Sequence, residues 1–320
     1  MLQNDIKTLI GSDGEGFRIA RQAISGLAVT TPLLPADFIE GREVRLKAEC
    51  LQPRGSFKIR AAANVLARFS SQELEQGIAC PSAGNFGQGL AYVAARRGVK
   101  LTVHAPDNAA RVKLEEIRQL GARVVVHPFD SWWQIMSTRV TGHDDGIFIH
   151  PVCEPEVVVG NGTIARELLD SWADFDAVIV PVGGGGLLCG IALALRAAGH
   201  RARIIGCEVE TAAPLSAALR KGEPVIVDRR PSFVDGIGST RVLDDMWPLL
   251  RELVDDVIVV TPDEAADGVR MAARHAHLVV EGAGGAALAA ARNARAGNRV
   301  VAILSGGNID QEQLARIIGG

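Results

Sequence analysis

Residues 176–199 read "DAVIVPVGGGGLLCGIALALRAAG". The run "AVIVPV" is short, rich in Val and Ile, and closed by Pro and Gly, so it reads as a buried strand. "LLCGIALALRAAG" has helical spacing of apolar residues and stops at Gly199. Pro and Gly interrupt the apolar run, which fits a buried strand and helix rather than a membrane span. Between strand and helix stand Gly183, Gly184, Gly185 and Gly186. A plain turn needs one or two glycines, and each further one costs conformational entropy. Four in a row predict backbone N–H groups wrapped around an anion, most simply a phosphate. No Gly-Lys-Ser/Thr follows, so the stretch is not a P-loop. The G-x-G-x-x-G pattern fails at Leu188 and Cys189.

The same alternation extends outward from about residue 75. "GIAC", "KLTVHAP", "ARVVVHP", "GIFIHP", "ARIIGCEV" and "NRVVAILS" read as strands. "FGQGLAYVAARRG", "NAARVKLEEIRQLG", "APLSAALRKG" and a segment near 263–277 read as helices, the first two ending at Gly98 and Gly121. Short strands alternating with Gly-ended helices predict an α/β protein with parallel sheet. At 320 residues the chain is long enough for two lobes. The Asp pairs at 144–145, 244–245 and 255–256 read as exposed loops, because no ligand partner stands at a metal-site spacing.

Net charge is −3, which gives no reason to expect nucleic acid or an anionic membrane as partner. The N-terminus lacks a charged-then-apolar leader pattern. The five cysteines are odd in number and show no C-x-x-C pair. Reduced, mostly buried thiols in a cytoplasmic protein are expected.

Three more loops carry residues suited to chemistry. In "LQPRGSFKIRAA" (51–62), Lys58 falls in the first turn of a helix, with Gly55 and Ser56 as turn and N-cap. A cation is unfavourable at that end. Lys58 is either a surface lysine or an amine kept for Schiff-base chemistry. "PSAGNFGQGLA" (81–91) places Ser82, Gly84 and Asn85 before a helix, where free N–H groups favour a carboxylate or phosphate. In "ILSGGNID" (303–310), Ser305 ends a strand, where it either caps a turn or meets a ring nitrogen. A fifth segment, "EGAGGAALAA" (281–290) after the strand-like "HLVVE", matches G-x-G-x-x-A. It lacks the acidic residue that a dinucleotide site wants about 20 positions on, and reads as a close-packed helix start.

Together these loops resemble the serine/threonine dehydratase group of pyridoxal-phosphate enzymes, which share the fold of the tryptophan synthase β subunit (fold type II). The matching stretches are "TTPLL" (30–34), "LKAECLQPRGSFKIRAA" (46–62), "SAGNFGQG" (82–89), "HPVCEPEVVVGNGTIARE" (150–167), "GGGGLLCG" (183–190), "VEGAGGAALAA" (280–290) and "LSGGN" (304–308). The resemblance implies two domains of parallel twisted sheet flanked by helices. A large cofactor domain would take residues 1–72 and 151–320, and a small domain, 73–150, would close over the substrate.

The resemblance also implies residue roles. Lys58 is the Schiff-base lysine and then the base for the Cα proton. Phe57 lies against the cofactor ring, and Asn85 bonds its phenolic oxygen. Gly183, Gly184, Gly185, Gly186 and Leu187 hold the phosphate, and Ser305 meets the pyridine nitrogen. Ser82, Ala83, Gly84, Asn85 and Phe86 line the substrate side. The implied cofactor is pyridoxal 5'-phosphate, and the implied partner a small amino acid. The implied reaction is β-elimination of a 3-hydroxy amino acid such as L-threonine or L-serine, giving a 2-oxo acid and ammonia. A homodimer is usual for proteins of this resemblance.

The chain departs from the family pattern at several places. Ala83 stands where serine racemases of the family carry the serine that acts as second base, which weighs against racemisation. Phe86 replaces a common histidine, and Arg54 a common threonine. Arg54 either meets a second substrate carboxylate, as in 3-hydroxyaspartate, or is a solvent-facing loop residue. Phenylserine and a hydroxyectoine-pathway intermediate are also compatible substrates. Glu208 matches the first ligand of a divalent-metal pair found in some relatives, but the second position is Pro214, so no metal is expected. A β-replacement enzyme or racemase remains the alternative within the fold, and a dinucleotide sensor built on "GAGGAA" the alternative outside it.

Overall fold

The stretch at 176–199 forms the centre of the larger of two sheets. In a computed structural model, which describes residues 2–109, 111–143 and 145–320, Ala177–Pro181 is a strand with all five residues buried. A strand buried on both faces is what an unbroken Val/Ile run predicts. The strands are β1 Leu33–Pro35, β2 Glu43–Lys47, β3 Ile78–Cys80, β4 Leu101–Pro106, β5 Arg123–His127, β6 Ile147–Phe148, β7 Ala177–Pro181, β8 Arg203–Val209, β9 Asp256–Val260 and β10 Arg299–Ile303.

They form a six-stranded sheet in the order β1-β2-β10-β7-β8-β9 and a four-stranded sheet in the order β5-β4-β3-β6. Every neighbour pair is parallel except β1 with β2, so the parallel expectation fails only at one edge. Helices cover both sheets, as parallel strands require.

The topology decides where the loops go. β2, β10 and β7 are neighbours and run the same way, with Val300 opposite both Val44 and Ala177. Their carboxyl ends therefore open on one edge of the sheet. The chain leaves β7 into the glycine loop, β10 into Ser305, and β2 toward Lys58 through two short 3-10 turns. Ligand sites in open α/β sheets form at such edges. The Lys58 helix (Lys58–Ala67) packs on the helix Asn85–Arg97, and Ile59, Ala62 and Leu66 share a core with Leu90 of that helix and with Ile78 and Val103 of the four-stranded sheet.

Four local expectations need correction. Ser56 is extended and does not cap. Phe57 occupies the N-cap, with no side-chain cap bond. "HLVVE" (277–281) is not a strand. Instead Glu281 N–H donates to Gly306 C=O, so the segment lies against the loop after β10 rather than in a ladder. Asp145 is buried, because its carboxylate meets His104 Nε2 at 2.9 Å, a partner 41 residues away that local spacing cannot reveal. Asp144 lies outside the described residues. Asp256 opens strand β9. All five cysteines are free and buried. No described helix is long and apolar enough to cross a membrane.

Candidate active site

The amine of Lys58 stands at the convergence of these loops. Its Nζ lies 5.0 Å from the Phe57 ring centre and 6.0 Å from that of Phe86. Among the described residues it has no hydrogen-bond or ion-pair partner. Burial lowers its pKa from 10.5 to about 8, against an opposing pull from Glu281. An amine that is neutral near physiological pH is a nucleophile and a base.

Hydrogen bonds tie the loops after β10 and after β3 to the Lys58 segment. Phe57 N–H donates to Ser305 C=O at 3.0 Å, and Gly307 N–H to Gly55 C=O at 2.8 Å. Ser305 is buried at the end of β10, one residue beyond Leu304. Asn308 Nδ2 donates to Arg54 C=O at 2.9 Å, to Asn85 Oδ1 at 2.9 Å and to Gln88 Oε1 at 3.0 Å. One side chain thus ties the loop after β10 to the loops before Lys58 and after β3.

Asn85 opens its helix, and the N-cap, Gly84, supplies no side-chain cap. The first-turn N–H groups are free for an anion. Ser82 and Asn85 are half-buried at this mouth, while Ala83 and Phe86 are buried against it. Phe86 makes the wall beside Lys58 apolar.

The glycine loop turns from β7 into the helix Gly186–Ala197. Gly185 has φ +88°, a left-handed conformation that favours glycine. A β-carbon on Gly184 would stand 2.6 Å from Val152 Cγ2, so no larger residue fits without displacing that wall. Gly185 caps the helix without a side chain, leaving the first N–H groups of the turn open. A tight backbone cradle at a helix start suits a phosphate. Leu187, the second residue of that helix, is buried.

Three residues that sequence reading left unassigned belong to the site. Glu281 is buried and accepts from Asn85 Nδ2 on both oxygens, each at 3.0 Å. Burial pushes its carboxyl up to about 7. The available signal was an acid at the start of a wholly apolar, glycine-rich helix, Gly282–Ala291. That helix is close-packed as expected, since a β-carbon on Gly285 would stand 2.4 Å from Ala265 C=O. His150 Nδ1 accepts from Cys153 N–H at 2.8 Å and Val152 N–H at 3.1 Å. Burial, with Arg139 and Lys58 nearby, lowers its pKa to about 4, so the ring is neutral. Asn161, in the helix Pro155–Ser171, is buried beneath the glycine loop.

Arg54 is half-buried with φ +65°, and its guanidinium lies 3.5 Å from Glu116. It is therefore partnered within the chain. Glu208 accepts from the N–H groups of Leu215 and Ser216, both at 2.8 Å, and so caps the helix Pro214–Lys221. No group of three or more candidate metal ligands occurs among the described residues.

The residues present fit an aldehyde cofactor bearing a phosphate. The cradle is too tight for side chains at Gly184 and Gly185, a desolvated amine stands without a partner among the described residues, and the Asn161 amide is buried with neither polar atom bonded.

Comparison with known proteins agrees. A family model described as "Pyridoxal-phosphate dependent enzyme" matches residues 24–306. The chain is 36% identical over 311 residues to the L-threonine ammonia-lyase of Thermotoga maritima, covering 95% of this chain and 77% of that one. It is 32% identical over 308 residues to the L-threo-3-hydroxyaspartate ammonia-lyase of a Pseudomonas species, covering 94% and 97%. Its fold superposes on maize serine racemase with a TM-score of 0.88 at 30% identity, covering 94% and 95%. The family match spans the chain from β1 to β10, and the protein belongs to the pyridoxal-phosphate dependent enzyme family.

Proposed function

We propose that this enzyme removes water from a 3-hydroxy amino acid of the threonine or serine type and releases a 2-oxo acid and ammonia. The observation that carries the reading is the unpartnered, desolvated amine of Lys58, on the sheet edge where the chain also leaves β7 into the glycine loop and β10 into Ser305. Relatives named as ammonia-lyases for L-threonine and for threo-3-hydroxyaspartate support it.

Pyridoxal phosphate, when bound, supplies an aldehyde that joins amines and a ring that withdraws the electron pair left on Cα. Lys58 Nζ would hold the aldehyde and serve as the base for the Cα proton. The N–H groups of Gly183 to Leu187 would hold the phosphate, and Ser305 Oγ would serve the ring nitrogen. Phe57 would pack on the ring, and Asn85 would serve its phenolic oxygen. Ser82, Ala83, Gly84 and Asn85 bind the substrate carboxylate at the helix start, with Phe86 closing the apolar side. The Cα proton and the 3-hydroxyl leave together as water. A second water then releases ammonia and leaves the 2-oxo acid. Ala83 has no proton to deliver on the opposite face, so the substrate is not racemised alongside the elimination.

Residues 73–150 act in this reading as the small domain over the substrate. The enzyme works as a homodimer in the cytoplasm, in keeping with five unpaired thiols.

The test is 2-oxo acid release by purified protein from L-threonine, L-serine and threo-3-hydroxyaspartate, with a Lys58→Ala control. Release from at least one substrate, abolished in the control, is expected. No release from any 3-hydroxy amino acid by cofactor-loaded protein would end the dehydratase reading.

A further inference from the structure

We propose that the side-chain amide of Asn161 is a ligand of the cofactor's phosphate, completing a cradle that the glycine loop forms only in part. The inference rests on the cofactor assignment above.

Asn161 lies mid-helix and is 1% exposed. Neither Nδ2 nor Oδ1 has a hydrogen-bond partner among the described residues. A buried amide with both ends unpaired is costly, and native cores rarely keep one without a ligand or water to satisfy it. Leucine-like residues would fill such a position at lower cost.

Close helix packing places this amide at the cradle. Gly162 and Gly190 allow the approach. A β-carbon on Gly162 would stand 2.7 Å from Gly190 C=O. A β-carbon on Gly190 would reach Asn161 Cβ at 3.0 Å. The Pro155–Ser171 helix is thus pressed onto the Gly186–Ala197 helix at its first turns. Asn161 Nδ2 lies 3.6 Å from where a β-carbon on Gly186 would stand. Gly186 is the first residue of the helix whose start forms the cradle. A phosphate monoester matches both ends of the amide. Its oxygens accept from Nδ2, and its hydroxyl, when singly protonated, donates to Oδ1.

The test compares binding of pyridoxal phosphate and of pyridoxal, which lacks the phosphate, to full-length protein stripped of cofactor. Wild type and Asn161→Ala are titrated side by side. The expected result is about tenfold weaker binding of pyridoxal phosphate by Asn161→Ala, with pyridoxal binding unchanged. Asn161→Asp, which sets a carboxylate against the phosphate, loses more. Equal loss for both ligands, or an unchanged ratio of the two affinities, overturns the proposal. If Asn161→Ala does not fold, Asn161→Ser holoenzyme is compared with wild type by ³¹P NMR. A displaced phosphate resonance supports the contact, and an identical resonance and pH titration refute it. If wild type itself prefers neither ligand, the cofactor assignment fails first.

Discussion

Asn85 donates from Nδ2 to both carboxylate oxygens of Glu281 at 3.0 Å, while its Oδ1 accepts from Asn308 at 2.9 Å. The helix that follows β3 of the small sheet is therefore bonded to two segments that flank β10 of the large one. The charge on Glu281 sits at this junction, 3% exposed.

That charge makes stability depend on pH. Burial raises the Glu281 carboxyl from 4.5 to about 7. The folded chain therefore prefers the protonated form, and its advantage is complete below pH 4.5. It is lost as pH rises toward 7, by up to roughly 3 kcal/mol. Glu281→Gln does not titrate. Its stability relative to wild type should rise between pH 5 and pH 7.5, read from urea unfolding of the cofactor-free chain. A constant difference across that window contradicts the shift.

Arg60, two residues after Lys58, is fully buried between two carboxylates. It donates to Glu49 at 2.8 Å from both Nε and Nη2, and to Glu167 at 2.6 Å from Nη1 and 2.8 Å from Nη2. Lys47 pairs with Glu167 from the other side. Arg60→Leu leaves buried anions short of a partner and should cost about 3–5 kcal/mol of unfolding free energy. Arg60→Lys should recover only part, because an ammonium lacks the planar fork that serves both carboxylates. Denaturant midpoints of the two variants decide it.

Gly184→Ala pushes a methyl into Val152. The loop must shift, so cofactor affinity should fall at least tenfold with the fold intact, measured by cofactor release on dilution. Adding Val152→Ala should restore part of the loss. No rescue would mean that Val152 is not the obstruction.

Capture of the aldehyde needs the neutral form of Lys58. With a pKa of about 8, the rate of pyridoxal-phosphate attachment to the cofactor-free chain should rise nearly tenfold per pH unit below 8 and flatten above it. Stopped-flow absorbance from about pH 6 to about pH 10.5, at least two units to either side of that value, reads this directly. A rise continuing past pH 10 would place the amine in water, not in a desolvated cleft.

Most elements were legible because their patterns are local. "AVIVP" and "RVVAI" are buried on both faces and look it, and Gly98 and Gly121 end or follow helices with φ +66° and +86°. The four loops were legible as unusual, since glycine runs and a lysine at a helix start are costly without a purpose. Glu281 was not, because its partner Asn85 is 196 residues away. Asn161 looked like any polar residue in a helix until the packing removed it from water.

The sequence by itself determined the alternation of strands and helices, the glycine loop and the amine at a helix start. Each follows from hydrophobic period, chain stiffness or local charge, which act over a few residues. The tertiary structure decided that β2, β10 and β7 lie side by side in parallel, and so that Lys58, Ser305 and the glycine loop share one edge. It also decided which polar groups lose water there. Desolvation depends on what packs from distant parts of the chain, and it is this that brings Lys58 to about 8 and Glu281 to about 7.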